Sequence, residues 1–552
     1  MQVNYKPILI FFIFLIIGVL LFTIMKDGIW FGHDRVAHFQ RMISLNNELT
    51  HHQYPPLFDY WSPGQFGYSW QLFYPPLTSL LFLVAKVLTF NSPDIILQMK
   101  TVFLIIILIA FGACFYAAKR EHDSATAGYL CAIVLLTSGY FLTNIFVRFA
   151  LGECLAMSLM PLFIRGCSSL VGDGRDRWLI PFATLGIFLS NIPSMIVAAL
   201  FFILFMATNP KALLNRQTLL FFLRSALIVI SLSAFYWSPL LYHIRHSDIF
   251  ATSDKLLQYE DLLKFSSSLT ETLFSLPSTY GVSNPGMFLS IGVVPLILSL
   301  FYLKYGHSSQ GRKMVIIALV FIVATTHFVP WNLIPNSVPV LKLMQFPWRL
   351  LSCAAAIVAL FTSGMLARKL TQSPTLVLSL ALLCIATMYL PIKQRFDHPL
   401  VPLNLNEIYD DYLNNSNVRP ENFTHLDKND FSFFANPQAS ITRTEFASGY
   451  PKMTIQANGE QVATLPFISY SGYYLLVDGK KTLPVRLDSG LVGVKLGDGE
   501  HLVTLAYRTR IVMVPALISV ISLGVILVFF SRRRLNNVDG HRPNAIVDDT
   551  FL

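Results

Sequence analysis

Hydrophobic runs long enough to cross a bilayer recur from residue 7 to residue 531, and they constrain the fold of this chain more than any other feature. A transmembrane helix needs about 20 predominantly apolar residues. Charged residues make up only 13% of the 552 positions and hydrophobic residues 54%, which is too little charge to cover a soluble domain of this length. We therefore predict a mainly α, polytopic transmembrane helical bundle. Its thirteen candidate apolar stretches are 7–25, 75–94, 99–118, 126–145, 149–166, 178–190, 192–208, 217–238, 286–303, 313–330, 349–367, 374–391 and 512–531.

The net charge of +10 is distributed as membrane topology requires, and not as a nucleic-acid-binding surface would be. Loops rich in Lys and Arg stay preferentially in the cytoplasm. A basic group also follows the last apolar run and Lys6 precedes the first, so we expect both termini inside. We expect no nucleic-acid partner. Groups of Lys and Arg lie in short connections between apolar runs, at 119–120, 165–177, 211–216, 312–313, 368–369 and 532–534.

Two termini on the same side require an even number of crossings, so we expect about 12 spans and one apolar stretch that does not cross. The charge pattern assigns that exception to 75–94, which follows Tyr74 with two prolines and carries Lys86 mid-run. An alternative merges 178–208 into a single crossing. Asn191 and Pro193 in the middle of that segment favour an outside turn instead.

Four regions follow from this topology. A transmembrane domain spans 1–391 and includes a first outside loop at 26–74. An extracytoplasmic β-rich domain spans 392–510, because 466–510 contains short alternating runs separated by Asp-Gly and Ser-Gly pairs, a pattern typical of hairpins in a small β-sandwich. A last transmembrane helix at 511–534 precedes a cytoplasmic tail at 535–552. None of the six cysteines lies in the polar segment, so neither a disulfide framework nor a metal motif is indicated.

The stretch GIWFGHDRVAHFQRM (28–42) leaves the first apolar run and presents several polar side chains at once. Asp34, His38 and Arg41 share one helix face at i, i+4 and i+7. Asp34 is also a favoured helix N-cap residue, so this helix start explains it without any chemistry. The alternative is that its carboxylate accepts a proton from a hydroxyl group.

The rest of the first loop is rich in aromatic residues and proline, and it ends at Tyr74. Aromatic residues near a bilayer usually form an interfacial belt. In a long irregular loop they also suit contact with a sugar ring or a prenyl chain, and Tyr74 is a candidate for such a contact.

Arg148 and Glu153 lie at the outer end of a later apolar run, where charges usually have a partner or a function. A structural ion pair between them is the simpler explanation. Their spacing of five is poor for a pair within one helix, so we expect their partners on other elements.

Trp348 and Arg349 open another span from the outside, in the sequence Gln-Phe-Pro-Trp-Arg. An Arg at this position is often only an interfacial anchor. A guanidinium also matches phosphate oxygens in a bidentate way, so Arg349 is a candidate to hold a lipid phosphate.

These motifs together resemble a bacterial family of polytopic proteins labelled pyruvoyl-tetrahydropterin-synthase-related, akin to the YfhO-like membrane proteins. The resemblance rests on Gly-His-Asp with His38 after it, the Tyr-Pro-Pro loop, Arg148 with Glu153, and the motif that ends at Arg349. The β-rich segment 472–508 is similar to the terminal domain of the YfhO-like proteins. No pterin chemistry is visible in the sequence.

Such proteins resemble the GT-C superfamily, whose glycosyltransferases use polyprenyl-phosphate-linked sugars on the outer face of the membrane. The resemblance implies that Asp34 is the catalytic base or a metal ligand, and that Glu153 is a second acidic site. Because Asp34 is followed by Arg35 and Val36, there is no Asp-x-Asp pair. Direct base catalysis is therefore the simpler expectation; a divalent cation stays possible as a cofactor, and no metal ligand is assigned.

Our hypothesis is a glycosyltransferase of the bacterial cytoplasmic membrane that moves a sugar from a polyprenyl-phosphate donor to a cell-envelope glycan or lipid outside. Asp34 and His38 would activate and orient the acceptor, and Arg349 or Arg148 would hold the leaving phosphate. Arg41, Trp348 and Tyr74 are further candidates to contact the substrate, because of their residue types and positions.

Two other classes remain open from the residues. A lipid or polysaccharide flippase would favour polar groups at mid-membrane depth and internal repeats, which are not evident. A non-catalytic envelope scaffold would not need Asp34.

Overall fold

The computed structural model describes residues 4–62, 66–247, 259–278, 286–334, 338–397 and 439–539. The first half of the chain contains the following helices: α1 (Lys6–Met25), α2 (Arg35–Thr50), α3 (Trp70–Phe73), α4 (Leu77–Leu88), α5 (Ile95–His122), α6 (Ala125–Leu136), α7 (Gly139–Phe146), α8 (Leu151–Val171), α9 (Leu179–Ser190), α10 (Ile192–Ala207), α11 (Pro210–Leu213), α12 (Arg216–Leu232) and α13 (Ala234–His246).

The second half continues with further helices: α14 (Tyr259–Lys264), α15 (Leu269–Phe274), α16 (Val293–Tyr305), α17 (Ser309–Ala324), α18 (Leu350–Gln372), α19 (Pro374–Thr387), α20 (Tyr389–Asp397) and, after the strands, α21 (Arg510–Asp539). Short 3-10 turns occur at Trp331–Leu333, Pro339–Met344 and Pro347–Arg349. The prediction of a mainly helical fold is confirmed.

Six helical segments of the described residues are long and apolar enough to cross a membrane, and two bent pairs raise that number to eight. The bent pairs are α6 with α7, at 53°, and α12 with α13, at 74°. The predicted number of about 12 spans is therefore not confirmed. Asn191 ends α9 and caps α10 through its side chain, which accepts from Ser194 N at 2.9 Å, so 178–208 forms two helices.

Helix α4 is only 12 residues long, about 18 Å at 1.5 Å per residue, and is shorter than a spanning helix needs. Both of its ends contact α2. Thr78 accepts a hydrogen bond from Arg41 Nη2 at 2.6 Å, and Lys86 donates to Asn46 at 2.5 Å. These contacts make α4 run alongside α2, and the expectation that 75–94 does not cross stays a prediction.

A buried network of ion pairs lies at the end of α8 that is distant from Glu153. Arg165 binds Asp176 at 2.7 Å and Glu121 at 2.8 Å, and Arg120 also contacts Asp176, at 3.0 Å. These residues include the basic groups assigned to the cytoplasmic side by the charge pattern. The network links α5, α8 and the loop after α8.

The C-terminal region is a β-structure of two antiparallel sheets, as the hairpin pattern predicts. The five-stranded sheet has the order β1-β2-β8-β4-β5 and the three-stranded sheet the order β3-β7-β6. Apolar side chains that alternate along β2, β3, β7 and β8 fill the space between the sheets. The strands are β1 (Ala439–Ala447), β2 (Tyr450–Ala457), β3 (Gln461–Ile468), β4 (Tyr473–Val477), β5 (Lys480–Thr482), β6 (Val485–Arg486), β7 (Leu491–Leu496) and β8 (Gly499–Tyr507).

The first outside loop completes the core of this β-region. Leu57, Phe58 and Tyr68 of the loop are buried in the same apolar cluster as the strands. The Gln53 amide donates to Gly449 O at 2.9 Å. Only glycine permits this close approach, because a Cβ on Gly449 would lie 2.6 Å from Gln53 Cβ. Most of the loop aromatics are therefore packing residues, and the expectation that they offer open faces to a sugar or prenyl chain is wrong for them.

The orientation of the chain can be tested by cysteine labelling, because all six native cysteines are buried and give little background. His307, between α16 and α17, and Lys480, at the start of β5, are both exposed. The charge pattern predicts that an impermeant maleimide labels the Lys480→Cys variant in intact cells and the His307→Cys variant only after lysis. Labelling of both variants in intact cells would contradict this topology.

Candidate functional site

Two backbone hydrogen bonds hold Asp34 against the segment between α7 and α8. His33 N donates to Val147 O at 3.3 Å, and Asp34 N donates to Arg148 O at 2.8 Å. Gly32 permits this approach, since a Cβ there would lie 2.4 Å from the Cβ of Phe149. The Gly-His-Asp motif therefore fixes Asp34 directly beside Arg148.

The helix is interrupted between Phe146 and Leu151, where α7 ends and α8 begins. Phe149 adopts a left-handed backbone conformation with φ of 59°. Arg148 and Glu153 consequently do not lie on one continuous helix, and the spacing rule for helical pairs does not apply to them. The direct ion pair between Arg148 and Glu153, the simpler explanation from the sequence, is present, and Asp34 and Arg349 are their additional partners on other elements.

Four predicted site residues form a continuous chain of opposite charges. Arg148 Nη2 lies 3.4 Å from Asp34 Oδ2, and Arg148 Nη1 lies 2.6 Å from Glu153 Oε2. Arg349 Nε reaches the same Glu153 oxygen at 3.1 Å. The Asp34 side chain is 44% exposed, whereas Glu153 is 1% exposed and the two arginines are nearly as buried. Asp34 is therefore the accessible end of a buried charge chain.

Neutral groups that sequence reasoning missed satisfy the remaining polar atoms of this chain. The Tyr140 hydroxyl donates to Glu153 Oε1, and Arg148 donates to Asn144 Oδ1 at 2.9 Å. Arg349 Nη1 donates to Gln345 Oε1 at 2.8 Å. Asn144 stands four residues before Arg148, a spacing that could have identified it, but Tyr140 lies in an apolar run without any such signal.

A second group of predicted residues surrounds Arg41. Its guanidinium lies 3.7 Å above the centre of the Tyr74 ring, and the His38 ring meets Tyr74 edge-on at 5.7 Å. Arg41 is 1% exposed. Among the described residues, no hydrogen-bond acceptor contacts its Nε or Nη1 atoms. Arg41 is therefore a buried cation whose hydrogen-bonding capacity is only partly used.

Tyr74 stands between these two groups. Burial raises the pKa of its hydroxyl. The charges of Arg41, Asp34 and Arg349 also act on that group. A Cβ on Gly152 would lie 3.0 Å from the Tyr74 oxygen, so the ring reaches the start of α8. The two groups therefore form one site at the end of the bundle where α8 begins.

The sequence assigns His38 the role of orienting the acceptor, and that role stays a prediction. His38 is buried, and burial together with the charges of Arg41 and Arg148 holds its pKa well below the usual range. Asp34 occupies the N-cap position of α2, but its side chain makes no capping hydrogen bond. The carboxylate is directed to Arg148 instead, so capping does not explain this residue.

Trp348 packs against other aromatic rings. Its ring is stacked on Phe346 at 4.5 Å and contacts Phe265, and it is buried. These contacts give it a packing role beneath Arg349.

The acidic residues of the site do not suit a divalent cation. Asp34 and Glu153 both have guanidinium groups as their nearest charged neighbours. In the described part of the chain, no three His, Cys, Asp or Glu side chains converge as a metal-binding group. We therefore derive no step that passes through a metal ion.

A family model described as 6-pyruvoyl-tetrahydropterin synthase related domain, membrane protein, matches residues 72–396, more than half of the chain. Among solved structures, the chain is similar to the arabinofuranosyltransferase AftD from Mycobacteria, with 13% identity and a TM-score of 0.44. That similarity covers 73% of this chain but only 27% of the other, so this chain spans about a quarter of its length. A search of the curated proteins gives no match.

The shared carboxylate gives a stability prediction. Glu153→Gln leaves two buried guanidiniums without their anion, and breaking a buried pair costs about 3–5 kcal/mol. We expect a clear fall in the thermal unfolding midpoint of the purified protein in nanodiscs, followed by intrinsic fluorescence. Glu500→Gln, at an exposed glutamate of β8, is the matched control and should unfold like the wild type. An unchanged midpoint for Glu153→Gln would show that Glu153 does not hold the two arginines.

Proposed function

The chain belongs to the 6-pyruvoyl-tetrahydropterin synthase related family of membrane proteins, and on that premise we propose that it is a membrane glycosyltransferase. It moves a sugar from a polyprenyl-phosphate donor to an extracytoplasmic acceptor, which is a cell-envelope glycan or lipid. The observation that carries this proposal is the accessible Asp34 carboxylate at the end of an otherwise buried charge chain.

In the proposed reaction, Asp34 accepts the proton of an acceptor hydroxyl. The acceptor oxygen then attacks the anomeric carbon of the donor sugar, and a new glycosidic bond forms with inversion. The bond between that carbon and the phosphate oxygen breaks, and its electron pair leaves with the polyprenyl phosphate. A positioned base of this kind contributes a factor of about 10²–10⁴ in rate.

The leaving phosphate needs a cation, and Arg41 is the best candidate. In the chain from Asp34 to Arg349, two carboxylates balance two guanidiniums, so Arg41 supplies the excess positive charge. A buried cation without its counter-ion is costly, and an anion that binds beside it removes that cost. A guanidinium also donates two parallel hydrogen bonds to phosphate oxygens.

Arg148 and Arg349 suit a positioning role better than a phosphate-binding one. Arg349 Nε and Nη1 already donate to Glu153 and to Gln345, and Arg148 donates to Asp34 and Glu153. The expectation that one of them holds the phosphate stays a prediction. Their contacts favour a role in which they fix Asp34 and Glu153.

We also propose the cellular setting of this reaction. The protein lies in the bacterial cytoplasmic membrane with a GT-C-like bundle of about 12 crossings, and its site faces outward. The basic connections between apolar runs support this orientation. The donor keeps its prenyl tail in the bilayer, so a base at the end of a span meets its sugar phosphate at the interface.

Asp34→Asn tests the proposed base. The exposed ion pair to Arg148 contributes at most about 1 kcal/mol, and no capping bond is lost, so the variant should remain stable. We expect at least about a hundredfold less glycosyl transfer, because Asn is a poor base. The measurement is the ratio of lipid-linked sugar to finished envelope glycan in cells that carry the variant as their only copy.

Asp123→Asn is the matched control, because Asp123 is exposed at the opposite end of the bundle. Near-normal transfer by the Asp34 variant, at equal membrane abundance, would instead favour a non-catalytic envelope scaffold.

Arg41→Lys tests the phosphate assignment. Lysine keeps the charge but loses the planar fork, and one charged hydrogen bond is worth about 1.5–3 kcal/mol, so we expect transfer to fall about 10- to 100-fold. The effect should appear as a higher KM for the lipid donor in washed membranes. Arg368→Lys, at an exposed arginine near the end of α18, should have no effect. An unchanged donor KM for Arg41→Lys would mean that Arg349 or Arg148, and not Arg41, binds the phosphate.

A further inference from the structure

A polar cavity of about 870 Å³ opens at the C-terminal end of α2, remote from Asp34. It lies between α2, the loop that follows it, the end of α4 and the start of α5. Its lining includes Asn46, Asn47, His51, Trp61, Lys86 and Gln98. None of the residues that form the charge chain lines it, so it is a separate site from the one described above.

One wall of the cavity is a rigid aromatic pair. The rings of His51 and Trp61 are stacked at 4.3 Å with an angle of 9° between their planes. Phe446 of β1 supports the indole at 5.2 Å. Trp61 is thus a loop aromatic that lines an open space, whereas Phe58 and Tyr68 are packed into the β-core.

The remaining polar lining consists of amides, hydroxyls and the ammonium group of Lys86. Asn47 donates to Ser62 Oγ at 2.9 Å, and Lys86 donates to Asn46, so these side chains are held in place by each other. Among the described residues that line the cavity there is no carboxylate. A rigid aromatic wall beside fixed amide donors and acceptors suits an uncharged ligand with many hydroxyl groups.

A prenyl chain would lack partners for these amides, and a polyanion would find a single ammonium group that is already bound to Asn46. An oligosaccharide fits both features of the lining. Its ring faces contact the aromatic pair, and its hydroxyls exchange hydrogen bonds with the amides.

The position of the cavity sets the length of that ligand. Asn46 lies 12 residues after Asp34 along α2, which is about 18 Å at 1.5 Å per residue. This distance exceeds the length of a single sugar, so one ligand that occupies both places must be an oligosaccharide. We propose that the cavity is a distal acceptor site, and that the acceptor is an oligosaccharide whose growing end reaches Asp34.

This inference rests on the proposed function for the role of Asp34, but its test does not require transfer. The probe is the envelope polysaccharide of the source bacterium, partly hydrolysed to fragments longer than this separation. Fully hydrolysed monosaccharide is the matched probe. Binding to the full-length protein in nanodiscs is measured by equilibrium dialysis, with unfolding midpoints to verify that each variant is folded.

We expect wild type and Asp34→Asn to bind the long fragments equally and the monosaccharides weakly. Trp61→Ala should bind the fragments about tenfold less tightly, since aromatic anchors carry much of the binding energy. His51→Ala, at an exposed residue, should reduce affinity in the same direction without a risk to folding. Trp178→Ala, at a partly exposed tryptophan of the opposite end, is the control.

Absence of fragment binding by the wild type, or equal binding by folded Trp61→Ala and His51→Ala variants, would overturn the inference. Equal affinity for monosaccharides would overturn the claim about ligand length. If Asp34→Asn binds the fragments and also transfers sugar normally, the proposed base fails while the glycan site stands.

Discussion

The interaction on which the site depends is the sharing of Glu153 by two buried guanidiniums. Arg148 and Arg349 come from different elements, and a single carboxylate oxygen bonds both, at 2.6 Å and 3.1 Å. Burying such groups is expensive, and apolar packing of the same volume is often more stable. Charges retained beside a membrane interior therefore point to a function. Here the arrangement fixes Arg148, and through it the exposed carboxylate of Asp34.

A second constraint comes from the far end of the chain. Leu57, Phe58 and Tyr68 of the first loop are buried in the apolar core that the strands between β1 and β8 form. The hydroxyls of Tyr60 and Tyr473 are also hydrogen-bonded at 2.8 Å. The first loop is thus held between the helical bundle and the β-region. A loop of this length can position a binding residue such as Trp61 only when such contacts fix it.

The charged part of the site was predictable because charges beside apolar runs stand out in a sequence. Asp34, Arg148, Glu153 and Arg349 were all selected for that reason, and the structure brings them together. Neutral partners such as Tyr140 carry no comparable signal. The interruption of the helix between Phe146 and Leu151 also cannot be read from spacing, so the helical spacing rule did not apply to Arg148 and Glu153. The loop aromatics were misjudged because their partners lie about 400 residues later in the chain.

Helix α2 connects all of these features in one rigid element. Its start is held by backbone bonds to residues 147 and 148, and the residue just beyond its end, Gln53, bonds both Phe58 and Gly449. Asp34, Arg41 and the cavity therefore keep fixed distances along a single axis. In the proposed reaction, Asp34, Arg41 and the lining of the cavity act on one substrate complex, which requires that these distances stay constant. The β-region contributes to this proposed reaction by fixing the end of α2 that lines the proposed acceptor site, although it lies far from the charge chain.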